Sequence, residues 1–157
     1  MEDIIIAKAS EVKATHRKEL NKYEYYKREL VPIRENGQCQ FNLYEIPPNK
    51  ATYPYHYHTK NEEVFYILQG KGLLRTPKGE RIVTAGDFIY FPANANGAHQ
   101  IKNISDENLI YLDFDTHNDI DVCFYPDTGK VGVWGRGVNQ IYRIKDQVTY
   151  FDGEEAE

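Results

Sequence analysis

The chain has 157 residues, 41% apolar and 27% charged, enough for one domain with its own core and too few for two comfortable ones. Its net charge of -5 comes from the end: residues 146–157 hold Asp146, Asp152, Glu154, Glu155 and Glu157 and no Lys or Arg, and the rest is balanced, so no basic face for nucleic acid is implied. No apolar run approaches a membrane span, and the opening Met-Glu-Asp-Ile-Ile-Ile lacks the basic start and long apolar run of a signal peptide. A cytoplasmic protein is expected, with Cys39 and Cys123 as free thiols and neither nucleic acid nor membrane as partner.

In chain order, Glu11–Leu30 is rich in charge, with loosely helical apolar points at Val12, Leu20, Tyr23, Tyr26 and Leu30, and reads as an arm or short helix. Asn36-Gly37 is a turn signal. From Phe41 the pattern turns to short strands: Phe41–Ile46, Val64–Leu68, Leu73–Arg75, Arg81–Thr84, Asp87–Phe91, Ala98–Lys102, Leu109–Phe114, Asp121–Tyr125 and Lys130–Trp134, with Gln147–Phe151 as a last one. Pro47-Pro48-Asn49, Pro77-Lys78-Gly79, Ala85-Gly86 and Pro126-Asp127-Thr128-Gly129 punctuate them. The 13 tyrosines favour strands. Short strands recurring every ~8–12 residues predict an all-β sandwich or barrel.

Of the five histidines, two stand two apart in Tyr55-His56-Tyr57-His58. On an extended segment residues i and i+2 share a face, so both imidazoles can reach one point. Glu63 follows after a polar break, and His99 opens a later strand. Three imidazoles and a carboxylate suit a borderline divalent ion such as Fe, Mn, Ni or Zn, and four ligands leave positions open for water or substrate. Glu62 is the rival carboxylate, pointing outward if the strand has begun by then. Phe65 and Ile67 share Glu63's inward face, whereas Tyr53, Tyr55 and Tyr57 alternate away from His56 and His58. His16 and His117 read as surface residues, and Asn103 as either a support for the site or a backbone cap. No Ser-His-Asp or Cys-His nucleophile arrangement is visible, and no catalytic residue is assigned.

These residues fall into the pattern of a known family. His56-x-His58, four residues, Glu63, six residues and Gly70 resembles the first motif of the cupin superfamily, although Lys50 stands where the motif's leading Gly belongs. Gly86, five residues, Pro92, then His99, three residues and Asn103 resembles the second, with a Pro92-to-His99 segment two residues longer than the family's. The run Asp121–Trp134 is similar to the tail of small bacterial single-domain cupins, some of them labelled sugar-phosphate isomerases.

The resemblance implies an all-β fold, the double-stranded β-helix or jelly-roll barrel, holding one divalent metal ion with His56, His58, Glu63 and His99. It divides the chain into an N-terminal arm packing on the barrel (1–40), the barrel core (41–125) and a C-terminal extension with an acidic tail (126–157). The function expected is metal-dependent chemistry on a small oxygenated metabolite, by an isomerase such as a sugar-phosphate isomerase or by a dioxygenase. A non-catalytic sugar or metabolite binder is the alternative. The exposed strand edges of a small barrel predict a homodimer.

Overall fold

The structure, a computed structural model, describes residues 4–154. Thirteen strands follow one another: β1 (Thr15–Glu19), β2 (Tyr23–Val31), β3 (Cys39–Ile46), β4 (Tyr57–His58), β5 (Glu63–Gln69), β6 (Lys71–Thr76), β7 (Gly79–Thr84), β8 (Phe88–Phe91), β9 (Gln100–Asn103), β10 (Leu109–Thr116), β11 (Ile120–Tyr125), β12 (Lys130–Gly135) and β13 (Val138–Arg143). Every strand pairing is antiparallel. One sheet has the order β1-β2-β3-β10-β5-β8; the others are β13-β12-β11-β4 and β7-β6-β9. An antiparallel bridge between His56 and His99 joins these last two into a second continuous face. On another flank, bridges from Ala51 to Tyr23 and to Lys102 tie β2 to β9. The all-β barrel expected from the strand spacing is the fold observed.

The predicted strands stand within a few residues of their expected bounds, but the chain ends differ. Glu11–Leu30 is not helical. It forms β1 and β2, paired from Thr15–Lys27 to Glu19–Tyr23 and reversed at Leu20, whose φ of 57° marks a tight turn. Alternation won over the loose helical spacing: Tyr25 points into the core while its neighbours stay half-buried. The segment 1–40 thus contributes two strands to the main sheet. Gln147–Phe151 is not a strand; a 3-10 turn at Ile144–Asp146 leads into further turns, and Val148, Tyr150 and Phe151 are exposed. The last strand is instead β13, the hairpin partner of β12, whose side chains are almost all exposed and so lack the apolar alternation that marks a half-buried strand. The acidic tail falls partly on residues 155–157, outside the described residues. Among the described residues no helix is long and apolar enough to cross a membrane.

Three strands carry the gradient that positions the site. Along β10, Leu109, Tyr111, Asp113 and Asp115 all face inward; along β5, Ile67, Phe65 and Glu63; along β3, Ile46, Tyr44 and Asn42. The apolar members join Val83, Leu74, Phe91 and Ile101 in one core cluster. The polar members form a tier beyond it, so the barrel is packed with hydrocarbon at one end and lined with carboxyl and amide groups at the other. Gly70 lets the chain double back between β5 and β6: its φ is +83°, and a Cβ there would lie 2.8 Å from the Asn108 carbonyl oxygen.

This alternation predicts unequal costs for neighbouring truncations. Ile67→Ala, at a fully buried site, should lower unfolding free energy by about 2–5 kcal/mol in urea titrations. Leu68→Ala, on the outer face, should cost less than about 1 kcal/mol. Equal losses would contradict the register of β5.

Candidate metal centre

The four sequence-predicted ligands converge. His56 and His99 face each other across the bridge, with backbone bonds His56 N–H to His99 O (3.1 Å) and His99 N–H to His56 O (2.9 Å), and their rings lie 4.9 Å apart. His58 follows on β4, its ring 5.2 Å from that of His56. Glu63 opens β5, its Oε2 3.1 Å from His99 Nε2 and 3.7 Å from His58 Nε2. One ligand atom each from His56, His58 and Glu63 lie within 4.8 Å of one another. Glu62, the rival carboxylate, is exposed and accepts a bond from the Tyr90 hydroxyl.

The hydrogen bonds decide which nitrogens face the centre. His56 Nδ1 is 2.9 Å from the Pro54 carbonyl, His99 Nδ1 2.9 Å from the Gly97 carbonyl and His58 Nδ1 2.5 Å from Asp121 Oδ2. Carbonyl oxygens only accept, so Nδ1 of His56 and His99 carries a proton toward the backbone, and Nε2 is the nitrogen each ring turns inward. His99 Nε2 and Glu63 Oε2 face each other at 3.1 Å, both buried and neither with a hydrogen-bond partner. Two buried, unpartnered polar atoms so close together suit a shared cation, and imidazole nitrogens with one carboxylate are the donor set of a borderline divalent ion. The residues fit the ion that the motif implies.

Electrostatics agree with a crowded, buried site. Burial first, and then His99, hold the His56 imidazole near 3. Burial also pulls His58 down, but bonds from Asp121 and Cys123 outweigh it and push the group up to about 11. For Glu63 the upward push of burial is overcome by His99, His58 and His56, so its carboxyl stays well below the usual range.

The centre lines a cavity of about 480 Å³. Three groups there were not legible as site residues. Asp113 and Asp115 project into it beside Glu63, the three offering oxygens within 4.8 Å of one another. Asn42 Nδ2 bonds Asp113 at 3.0 Å and Gln40 Nε2 bonds Asp115 at 2.7 Å. Burial, reinforced by the neighbouring carboxylates, raises Asp113 well above the usual range and Asp115 to about 7. Their i, i+2 spacing on an inward face was the available signal. The third is Tyr53, expected to point away. Residues 52–55 bend rather than extend, so parity is lost; Tyr53 lines the cavity and its hydroxyl lies 3.0 Å from those of both Tyr25 and Tyr44. Tyr55 is buried under the Arg75 guanidinium and Tyr57 stacks on Phe124.

Other expectations sort as follows. His117 is not a plain surface residue but lines the cavity, whereas His16 stays exposed, beside Glu24. Asn103 is a backbone cap: its amide donates to the Ile46 and Glu107 carbonyls and accepts from Ser105 N–H. Both cysteines are free. The long segment before His99 forms a 3-10 turn at Ala95–Gly97, capped by Asn94, and delivers the carbonyl that orients His99. It does not line the cavity; Trp134, Arg136 and Asn139 of the β12–β13 hairpin do.

Residues 42–115 match the model of the cupin domain family. The fold agrees: a crystal structure from Acidithiobacillus ferrooxidans, for which a sugar phosphate isomerase activity has been suggested, superposes with a TM-score of 0.80 at 28% identity, covering 92% of this chain and 96% of that one. Residues 42–115 thus carry a cupin domain, and the chain as a whole has the fold of these cupins. A cupin-superfamily sugar phosphate isomerase from Silicibacter pomeroyi shares the fold (TM-score 0.78, 19% identity, 91% and 95% coverage). The uncharacterized protein MJ1618 of Methanocaldococcus jannaschii is 39% identical over 71 residues, 45% of this chain, and the match spans about half, 48%, of that protein's own length.

Metal-free protein should show the burial of Asp115 in its stability. A carboxyl raised in the folded state contributes stability that is fully present below about pH 4, its unfolded value, and lost as pH rises through about 7. Thermal unfolding in chelator across pH 4–8 should therefore show the midpoint of the wild type falling relative to that of Asp115→Asn as pH rises, a difference that cancels the opposite contribution of His56. A constant difference would show that Asp115 is not the group responsible.

Proposed function

We propose that this cupin is a metal-dependent enzyme acting on a small oxygenated metabolite, with isomerisation of a sugar phosphate as the reaction class. The observation that carries the reading is the pair Asp113 and Asp115, which gives the cavity titratable groups beyond the four candidate ligands. A binding protein needs no such pair, whereas an aldose–ketose interconversion needs a group that takes a proton from one carbon and returns it to the next. The proposed ligands are His56, His58, Glu63 and His99. A divalent ion bound there supplies Lewis acidity that polarises a substrate carbonyl.

The chain's own residues supply the rest. Asp115, its Oδ2 held by Gln40, is the proposed proton carrier, with Asp113 beside it. Lys27 and Arg136 among the lining groups offer positive charge to an anionic substituent. A cavity of about 480 Å³ suits a small metabolite. The 28% identity to the Acidithiobacillus protein across nearly the whole chain supports the same reaction class.

Elemental analysis of untagged protein should find one divalent ion per chain, lost in His58→Ala. With a panel of aldose and ketose phosphates, Asp115→Asn should keep the ion and lose at least about 100-fold in turnover. Iron with substrate-dependent oxygen consumption would redirect the reading to a dioxygenase. Tight sugar binding without turnover would leave a non-catalytic binder, and no ion even after reconstitution would end the metalloenzyme reading.

We also propose a homodimer. Tyr66, Phe88 and Tyr90 form an exposed apolar stripe on β5 and β8, and Val148, Tyr150 and Phe151 project from the C-terminal segment without cover in this chain. Light scattering should give twice 18.3 kDa; a monomeric mass at micromolar concentration would rule the dimer out.

A further inference from the structure

We propose that Asp121 is a positioning residue of the metal centre, holding both His58 and the loop that leads from it to Glu63; the inference rests on the ligand set proposed above. Asp121 stands on β11, outside the segment 42–115 that matches the family model, and is 1% exposed. Its two oxygens divide the work. Oδ2 accepts the Nδ1 proton of His58 at 2.5 Å. Oδ1 accepts three successive backbone N–H groups, those of Thr59, Lys60 and Asn61, at 3.2, 2.8 and 3.3 Å. The adjoining backbone is fixed too, since Thr59 N–H donates to the Val122 carbonyl at 3.0 Å and β11 pairs with β4 at His58.

One carboxylate thus fixes two variables of the site. By keeping the His58 proton on Nδ1 it leaves Nε2 as the atom turned toward Glu63 Oε2. By gathering three N–H groups on one oxygen it sets the path of residues 59–61, and with it where β5 begins and Glu63 enters the barrel. Cys123 Sγ also lies 3.1 Å from His58 Nδ1, but a thiol is a weak acceptor and reaches none of the loop amides.

Asp121→Asn separates the two tasks, because its remaining oxygen can still receive the loop N–H groups while its amide replaces an acceptor by a donor at His58. Binding of Co(II) alone to metal-free protein, followed by its visible spectrum and by competition with a chelator, should be about 10- to 100-fold weaker in Asp121→Asn, with a shifted ligand-field band, and partly restored in Asp121→Glu. A variant with a lower melting temperature but wild-type Co(II) affinity and spectrum would make Asp121 a loop staple and overturn the proposal. If the variants do not fold, nitrogen chemical shifts of His58 in the Zn(II)-loaded wild-type protein decide: a protonated Nδ1 with metal on Nε2 is expected, and metal on Nδ1 overturns it. Wild-type protein that binds no Co(II) would instead remove the ligand set itself.

Discussion

Two backbone hydrogen bonds between His56 and His99 hold this molecule's working end together. They form the antiparallel bridge through which the β13-β12-β11-β4 sheet continues into β9-β6-β7, so the second face of the barrel closes at that point. Directly opposed residues in an antiparallel pair bring their side chains within reach of each other, which is why the same bridge sets two imidazoles 4.9 Å apart. The seam of the fold and the centre of the site are one feature. His58 and Glu63 then need only short segments to arrive, one along β4 and one through the loop held by Asp121.

The site is costly in the absence of a counter-charge. Glu63, Asp113 and Asp115 occupy the same tier, each at least nine-tenths buried, with amide partners for two of them and none for Glu63 Oε2. Burial strips hydration from these carboxylates, and protons or a cation offset that cost. The apolar tier below, from Tyr111 and Phe65 to Ile67 and Leu109, makes the arrangement affordable by giving β10 and β5 a rigid seat. The face that buries hydrocarbon at one end thereby presents acids at the other without a break in alternation.

Much of this was readable along the chain, for identifiable reasons. His56, His58 and Glu63 lie close in sequence and obey strand parity, and His99 follows Gly86 and Pro92 in the motif's order, two residues later than its spacing, with Asn103 in place after it. Asp113 and Asp115 were hidden because acids on an otherwise apolar strand look like its solvent face; their phase with Leu109 and Tyr111 was the signal, and the pairing with Glu63 fixes their direction. Asp121 is far from His58 along the chain, and no local pattern couples them. Parity also misled at Tyr53, because residues 52–55 bend and lack the extension on which parity depends. At the chain ends, charge-rich β1 and polar β13 lack the half-buried alternation that identifies a strand, whereas Val148, Tyr150 and Phe151 carry strand-forming side chains with no neighbouring strand to pair with.

The separation of duties between the two loop regions has a consequence for how such a protein diversifies. The 92–98 segment supports His99 from behind, and Gly97 is packed so tightly that a Cβ would sit 2.0 Å from the Pro92 carbonyl oxygen. The β12–β13 hairpin, by contrast, walls the cavity with Trp134, Arg136 and Asn139 while contributing none of the four proposed ligands. A descendant could exchange that hairpin for another sequence and acquire a new clientele of small molecules, leaving the inherited chemistry of the barrel untouched.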